Sequence, residues 1–321
     1  MKTPYRILIA FCLSSVIGLS AGADQPKEEP PKATPEMHIE KREETAIEKF
    51  RRLRPEMLPK GVPNTFKRRV VDSKEFPWRA IGRVNIGGTA HCSGSLIAEN
   101  IVLTAAHCLY SKLSQDMVPP SIVHFVAGYA RGKYVAHSKV TRYTVGRGFN
   151  GAKGAVAENL LFDWALLVLE KPIGAEHGFL EIHKNLQLPK VRPKIRPKVG
   201  LESPQVTTAG YPGDRAHALS LEENCKINRV EARGHLLFTD CLAVGGDSGG
   251  PILQAPDGKW VVIGLQTAAI NQGKKQASIG ISALAFRQAH RAVLKQLAKE
   301  LEDKKNATSA GNTSASTAQS N

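Results

Sequence analysis

The sequence is poor in aromatic residues, at 6% of its 321 positions, and it has only five cysteines. Beyond its first two dozen residues no apolar stretch is long enough to cross a bilayer, so no membrane span is expected. No Cys-x-x-Cys or His-x-x-x-His spacing occurs, which argues against a zinc site; neither a metal nor a cofactor is expected. Acidic residues are in deficit, 29 against 44 Lys and Arg, for a formal net charge of +15. Such a surplus favours anionic surfaces or polymers. Few aromatics are interleaved with the basic residues and no reader motif is present, so nucleic-acid binding is not expected. A weak contact with an anionic surface is the most the charge supports.

Part of that charge lies outside the folding region. Residues 1–69 carry 14 Lys and Arg against 9 Asp and Glu, leaving 30 against 20 for the rest. Lys2 and Arg6 precede an apolar run from Ile7 to Leu19, and Ala21–Ala23 offers small residues for cleavage. Residues 1–23 therefore read as a secretory signal peptide. Phe11 stands where a lipid-attachment site at Cys12 would want a small residue, so a lipoprotein is not expected. Export leaves Cys92, Cys108, Cys225 and Cys241, an even number in an oxidising compartment. Of the three connectivities, sequential pairing is preferred, because the pairs lie against candidate site residues. The destination is extracellular or periplasmic, and the protein is expected to act as a monomer.

Residues 24–69 are rich in Pro, Glu, Lys and Arg and end in "KRRVV". They read as a loosely ordered pro-segment with a processing site after Arg69. From Val70 short β-like runs begin, the first unit spanning 70–188. "GSLI" and "IVLTAA" have hairpin spacing, "WALLVLE" reads as a strand covered on both faces, and "PILQAPDGKWVVIGLQ" as two strands joined by a Pro-Asp-Gly turn. "LPKVRPKIRPKV" repeats proline every fourth residue, so residues 189–199 read as an extended connector. A second β unit is expected at 200–285 and a helix at 286–303, with Ser282 as its cap. Residues 304–321 read as a disordered tail.

"VGGDSGGPIL", Val244 to Leu253, crowds four glycines around Asp247 and Ser248. One tight turn needs fewer. A serine hydroxyl is a weak nucleophile that needs a base beside it, and the imidazole needs a buried carboxylate to fix its tautomer. His107 follows the apolar run of "LTAAHC", and Asp163 stands at the mouth of the buried "FDWALLVL" run. His91, His124, His217 and His235 read as surface or core residues.

"TAAHC", "DWALL" and "GDSGGP", in the order His, Asp, Ser, resemble the chymotrypsin-type serine endopeptidases, and "FPWRAIG" and "CSGSLI" fit the same family. "AGYPGDR" and "KPIGAEHG" are similar to its bacterial glutamyl endopeptidase branch. The resemblance, over Val70 to Leu301, implies an all-β fold of two six-stranded antiparallel barrels with a C-terminal helix. It also implies a peptide hydrolase acting on protein or peptide substrates. It gives His107 the role of base and then acid, Asp163 that of orienting it, and Ser248 that of nucleophile. The N–H groups of Gly246 and Ser248 would form the oxyanion hole.

By the same resemblance, cleavage after Arg69 would free the Val70 amine to pair with Asp247 and order the oxyanion loop, the uncut zymogen being disordered there. The residue before the scissile bond would meet Leu242, Ala243, Thr267, Ala268 and Ala269, with Gly280 keeping the pocket open. No acidic residue stands at Leu242, and no histidine near Gln266 as in glutamyl-specific relatives, so the expected pocket is neutral. The alternative is a catalytically silent binding protein on this scaffold that uses its basic surface.

Overall fold

The computed structural model describes residues 68–186, 188, 203–272 and 275–317. The signal peptide, nearly all of the pro-segment and the connector at 189–199 lie outside the described residues. The strands in chain order are β1 Arg69–Val70, β2 Ile81–Ile86, β3 Ala90–Ala98, β4 Ile101–Thr104, β5 Tyr110–Ser111, β6 Asp116–Met117, β7 Val123–Ala127, β8 Ala136–Val145, β9 Ala165–Leu169, β10 Glu181–Ile182, β11 Gln205–Gly210, β12 Ser220–Glu231, β13 Leu236–Thr239, β14 Pro251–Gln254, β15 Val261–Gln272 and β16 Lys275–Ser282. The helices are α1 Ala157–Leu160, α2 Ile173–His177 and α3 Ala283–Thr317.

Six strands close the first barrel in the order β2-β3-β4-β9-β8-β7. In β2 Gly82, Val84 and Ile86 are buried, while Arg83 and Asn85 between them are partly open. This is the alternation of a strand with one face on the core. Every residue of β4 and β9 is buried, as their unbroken apolar runs require. The expected hairpin joins β3 to β4, with Leu96 opposite Val102.

The second barrel closes through β12-β11-β14-β15-β16-β13, with β13 returning to β12. The anticipated Pro256–Gly258 turn links β14 to β15, with Asp257 at φ 53°. All pairings around both rings are antiparallel. Two short strands bind outside the ring order. β10 runs parallel to β15, and β1 pairs with β12, Arg69 facing Leu221 and Val70 facing Ser220.

That second pairing spans the expected boundary at residue 69: in the uncut chain Arg68 is buried and Arg69 is a strand residue. The C-terminal helix begins at Ala283, where the Ser282 hydroxyl accepts the Leu284 N–H at 3.3 Å, as its capping role predicts. It continues past 303 to Thr317, farther than the apolar spacing suggests. Phe286 and Val293 pack against the core.

Candidate active site

The first barrel places a histidine and an aspartate. His107 lies in a 3₁₀ turn, Ala106–Leu109, directly after β4. The neighbouring Cys108 is bonded to Cys92 of β3, and Cys225 is bonded to Cys241, which is the sequential pairing. Asp163 stands just before β9, its side chain 6% exposed. Its carboxylate accepts the backbone N–H of His107 at 2.7 Å through Oδ1 and His107 Nδ1–H at 2.7 Å through Oδ2. Facing a carboxylate, Nδ1 must carry the proton, which leaves Nε2 with a free lone pair. A third donor is Thr267 on β15, whose hydroxyl is in very short contact with Asp163 Oδ2. The carboxylate is thereby fixed from two backbone directions, one in each barrel.

The second barrel places the serine loop. Gly246 has φ 97°, and a side chain there would strike the Tyr211 carbonyl. Gly249 has φ 81°, and a Cβ there would overlap Thr104 and the Ser93 carbonyl. Only glycine suits either position. Two bridges bring Ser248 to the histidine side. The Ser93 N–H donates to the Ser248 carbonyl at 2.9 Å, and Ser93 follows Cys92, the disulfide partner of Cys108. The N–H of Gly249 donates to Gln266 O at 2.7 Å and the N–H of Gln266 to Gly250 O at 2.8 Å, next to Thr267. The Ser93 hydroxyl donates to Gly246 O and accepts the Tyr211 N–H, each at 2.8 Å.

Within this loop the backbone donors divide. The N–H groups of Asp247, Gly249 and Gly250 are all engaged, whereas those of Gly245, Gly246 and Ser248 meet no acceptor among the described residues. The Ser248 hydroxyl is half-buried and likewise makes no hydrogen bond among the described residues. His107 keeps 38% of its side chain exposed. The ring nitrogen of His107 lies close to the sulfurs of Cys92 and Cys108, but both sulfurs are consumed in a disulfide and offer no metal a thiolate.

The residues expected at the activation site and the pocket have these surroundings in the uncut chain. Asp247 is paired with Arg68 in the uncut chain, Nη1 to Oδ1 at 2.7 Å and Nη2 to Oδ2 at 2.8 Å. In this uncut chain Val70 lies on β1 and is 52% exposed, and the carboxylate of Asp247 is taken by Arg68. The Thr267 hydroxyl faces Asp163. Gly280 sits opposite Gln266, and a Cβ there would strike Ile252. Leu242 and Ala243 are buried, Ala268 is partly buried and Ala269 exposed.

Sequence reasoning did not find Arg68 or Ser93. The only signal for Ser93 was its place beside Cys92. His91 is partly buried, with Nε2 3.0 Å from Tyr211 O, and burial together with Arg83 lowers its pKa.

A profile of the family described as trypsin matches residues 67–288. A glutamyl endopeptidase of Bacillus licheniformis is 26% identical over 187 residues, covering 58% of this chain and 52% of that protein. Transmembrane protease serine 7 of Rattus norvegicus is 24% identical over 225 residues, covering 62% of this chain and 25% of the relative. The chain thus spans about half and a quarter of these relatives' lengths. A solved structure of a Glu endopeptidase in complex with MPD superposes with a TM-score of 0.54 at 21% identity, over 70% of this chain and 95% of that one. That likeness speaks for the fold alone. With the family profile running across both barrels, the chain belongs to the trypsin family of serine proteases and is related to its bacterial glutamyl endopeptidase branch.

Proposed function

We propose that the protein is an exported serine endopeptidase that cleaves peptide bonds through Ser248, His107 and Asp163 by way of an acyl-enzyme. The observation that carries this reading is the Nδ1–Oδ2 contact of 2.7 Å between His107 and Asp163, which leaves Nε2 ready to accept a proton. As substrate enters, His107 Nε2 takes the Ser248 hydroxyl proton while Oγ bonds to the scissile carbonyl carbon. The nucleophile–base hydrogen bond commonly tightens only at this stage. The unengaged N–H groups of Gly246 and Ser248 receive the developing oxyanion; one such donor contributes roughly 3–4 kcal/mol to the barrier. His107 then returns its proton to the leaving amine as the C–N bond breaks. A water molecule, deprotonated by the same nitrogen, releases the acyl group and restores Ser248.

The pocket is proposed to be neutral, lined by Leu242, Ala243, Ala268 and Ala269, and to take a small or apolar residue before the scissile bond. The glutamyl specificity in the relatives' names is not carried over, because no histidine stands near Gln266. The leader and the two disulfides support a periplasmic or extracellular site of action. The pro-segment is proposed to be removed upstream of Arg68, and the enzyme to act as a monomer.

A fluorophosphonate probe should label the parent chain at Ser248, and labelling should vanish in S248A and H107A. A peptide library should be cut after small or apolar residues. An unlabelled but folded parent would sink the hydrolytic reading in favour of a silent binding protein. Cleavage chiefly after Arg, Lys or Glu would sink the pocket reading alone.

A further inference from the structure

Arg68, at the end of the expected pro-segment, reaches the loop carrying the serine. Its side chain is 1% exposed, as is that of Asp247. Beyond the two bonds to that carboxylate, Nη2 donates to the Leu242 carbonyl in a very short contact, and Nε lies 3.7 Å from a Glu222 carboxylate oxygen. The same Glu222 accepts the Leu242 N–H at 2.8 Å. Both polar backbone groups of the pocket-wall residue are thus held by one buried cluster. The Asp247 Oδ2 that meets Arg68 also accepts the Val244 N–H at 2.9 Å. The segment behind Arg68 is anchored too. Arg215 Nη1 donates to the Arg68 carbonyl at 3.0 Å, and the Val71 N–H donates to Leu219 O at 3.2 Å.

We infer that Arg68 is the built-in counter-ion of Asp247. It is a positioning residue that holds the oxyanion loop and the pocket wall in working form, so that the chain is active with the Arg69–Val70 bond intact. The inference rests on the hydrolytic reading above. Planar geometry explains the choice of residue: a guanidinium can meet both carboxylate oxygens and a carbonyl together, whereas an amine or a lysine meets fewer. Removal of the chain through Arg69 would take away the counter-ion, and β1 would have to leave β12 before the Val70 amine could reach inward. Processing at that bond is therefore an off-switch.

The charge on this counter-ion is stable to alkali, unlike that of an α-amine, which titrates near pH 8. Burial by itself would lower the Arg68 pKa, but Asp247, with help from Glu222 and Asp214, outweighs burial and holds it above its ordinary value. Glu222 and Asp214, the other carboxyls facing it, are both pushed up by burial. Arg215, the cation on the neighbouring side, is lowered by burial.

The test uses the exported full chain and its R69Q variant, which lacks the basic residue before Val70. Molecules that react with a fluorophosphonate are isolated and their N-termini sequenced. All should retain Arg68, R69Q should turn over peptide within about twofold of the parent, and methylating the α-amines should leave the rate near pH 9 unchanged. Reactive molecules that all begin at Val70, or a rate lost on methylation, would overturn the inference. In a second arm R68M should lower kcat about 100-fold with a smaller change in KM, and R68K should restore part of it. An R68M chain as active as the parent would overturn it as well. Amide exchange at Val244, Asp247 and Gly250 in an S248A background reads the loop without catalysis. Exchange there should quicken at least about tenfold in R68M, and unchanged exchange would count against Arg68 even if the parent proved inert.

Discussion

The two barrels hold their halves of the site by different physics. In the first, His107 and Asp163 are carried by strand ends in a fully buried apolar lattice, with a disulfide one residue from the histidine. In the second, Ser248 rides on a glycine-rich loop in which the N–H groups of Gly245, Gly246 and Ser248 meet no acceptor among the described residues. A loop with deliberately vacant donors gains less from backbone pairing. It is held instead by side chains from elsewhere: Ser93 from the first barrel and the Arg68–Asp247 pair. Acid–base groups can be placed by ordinary core packing, whereas an anion-binding backbone needs a polar brace.

The largest effect that would break this contrast lies in the brace. Asp247→Leu leaves the buried Arg68 guanidinium without its bidentate carboxylate, keeping only Leu242 O and the more distant Glu222, which should cost roughly 3–5 kcal/mol in a urea titration. The double variant R68M/D247L, apolar at both positions, should recover most of that loss while staying poorly active. Equal activity in the double variant and the parent would mean that the pair contributes stability and nothing to loop shape. Next comes the first barrel's covalent tie. Cys92→Ala with Cys108→Ala opens a loop of 16 residues and should cost about 3 kcal/mol. Its effect on kcat should be smaller than that of R68M, because the three hydrogen bonds on Asp163 remain.

What the sequence revealed follows from this division. The strings around His107, Asp163 and Ser248 were legible as motifs of the family, because each is short and contiguous. Strands β4 and β9 were legible as unbroken apolar runs. Arg68 was not, because its partner is 179 residues away and "KRRVV" reads equally well as a processing site. The close approach of Thr267 to Asp163 depends on the register of β15, which a run of small residues after Gly264 leaves open. The shift in pairing between Gln266 and Ala268 is the irregularity that decides it. Gly280 shows the same limit: a glycine signals close approach without saying what approaches, here Ile252.

Thr267 permits a finer test of how far the two halves are coupled. Thr267→Val keeps the shape and removes one donor to a buried carboxylate. Hydrogen bonds to charged groups contribute about 1.5–3 kcal/mol, so kcat should fall roughly 10- to 100-fold with little change in KM. A fall in stability with unchanged kcat would place the role of Thr267 in folding alone.

The smallest expected effect separates the two adjacent arginines. Arg69 makes a bidentate contact with Glu223 at 2.8 Å, but more than half of its side chain is exposed. The hydrogen bond from Arg69 is the main reason the Glu223 carboxyl titrates below its ordinary range. A lowered carboxyl pKa contributes stability that is present above the unfolded value, near 4.3, and is lost as pH falls through the folded one. Solvent and salt screen such a pair, so R69Q should cost less than about 1 kcal/mol at pH 7. The difference from the parent should shrink toward zero in acid and in high salt. Arg68 is buried and its effect on turnover should survive high salt, so comparing R69Q with R68M at two ionic strengths distinguishes a surface pair from a structural brace one residue away.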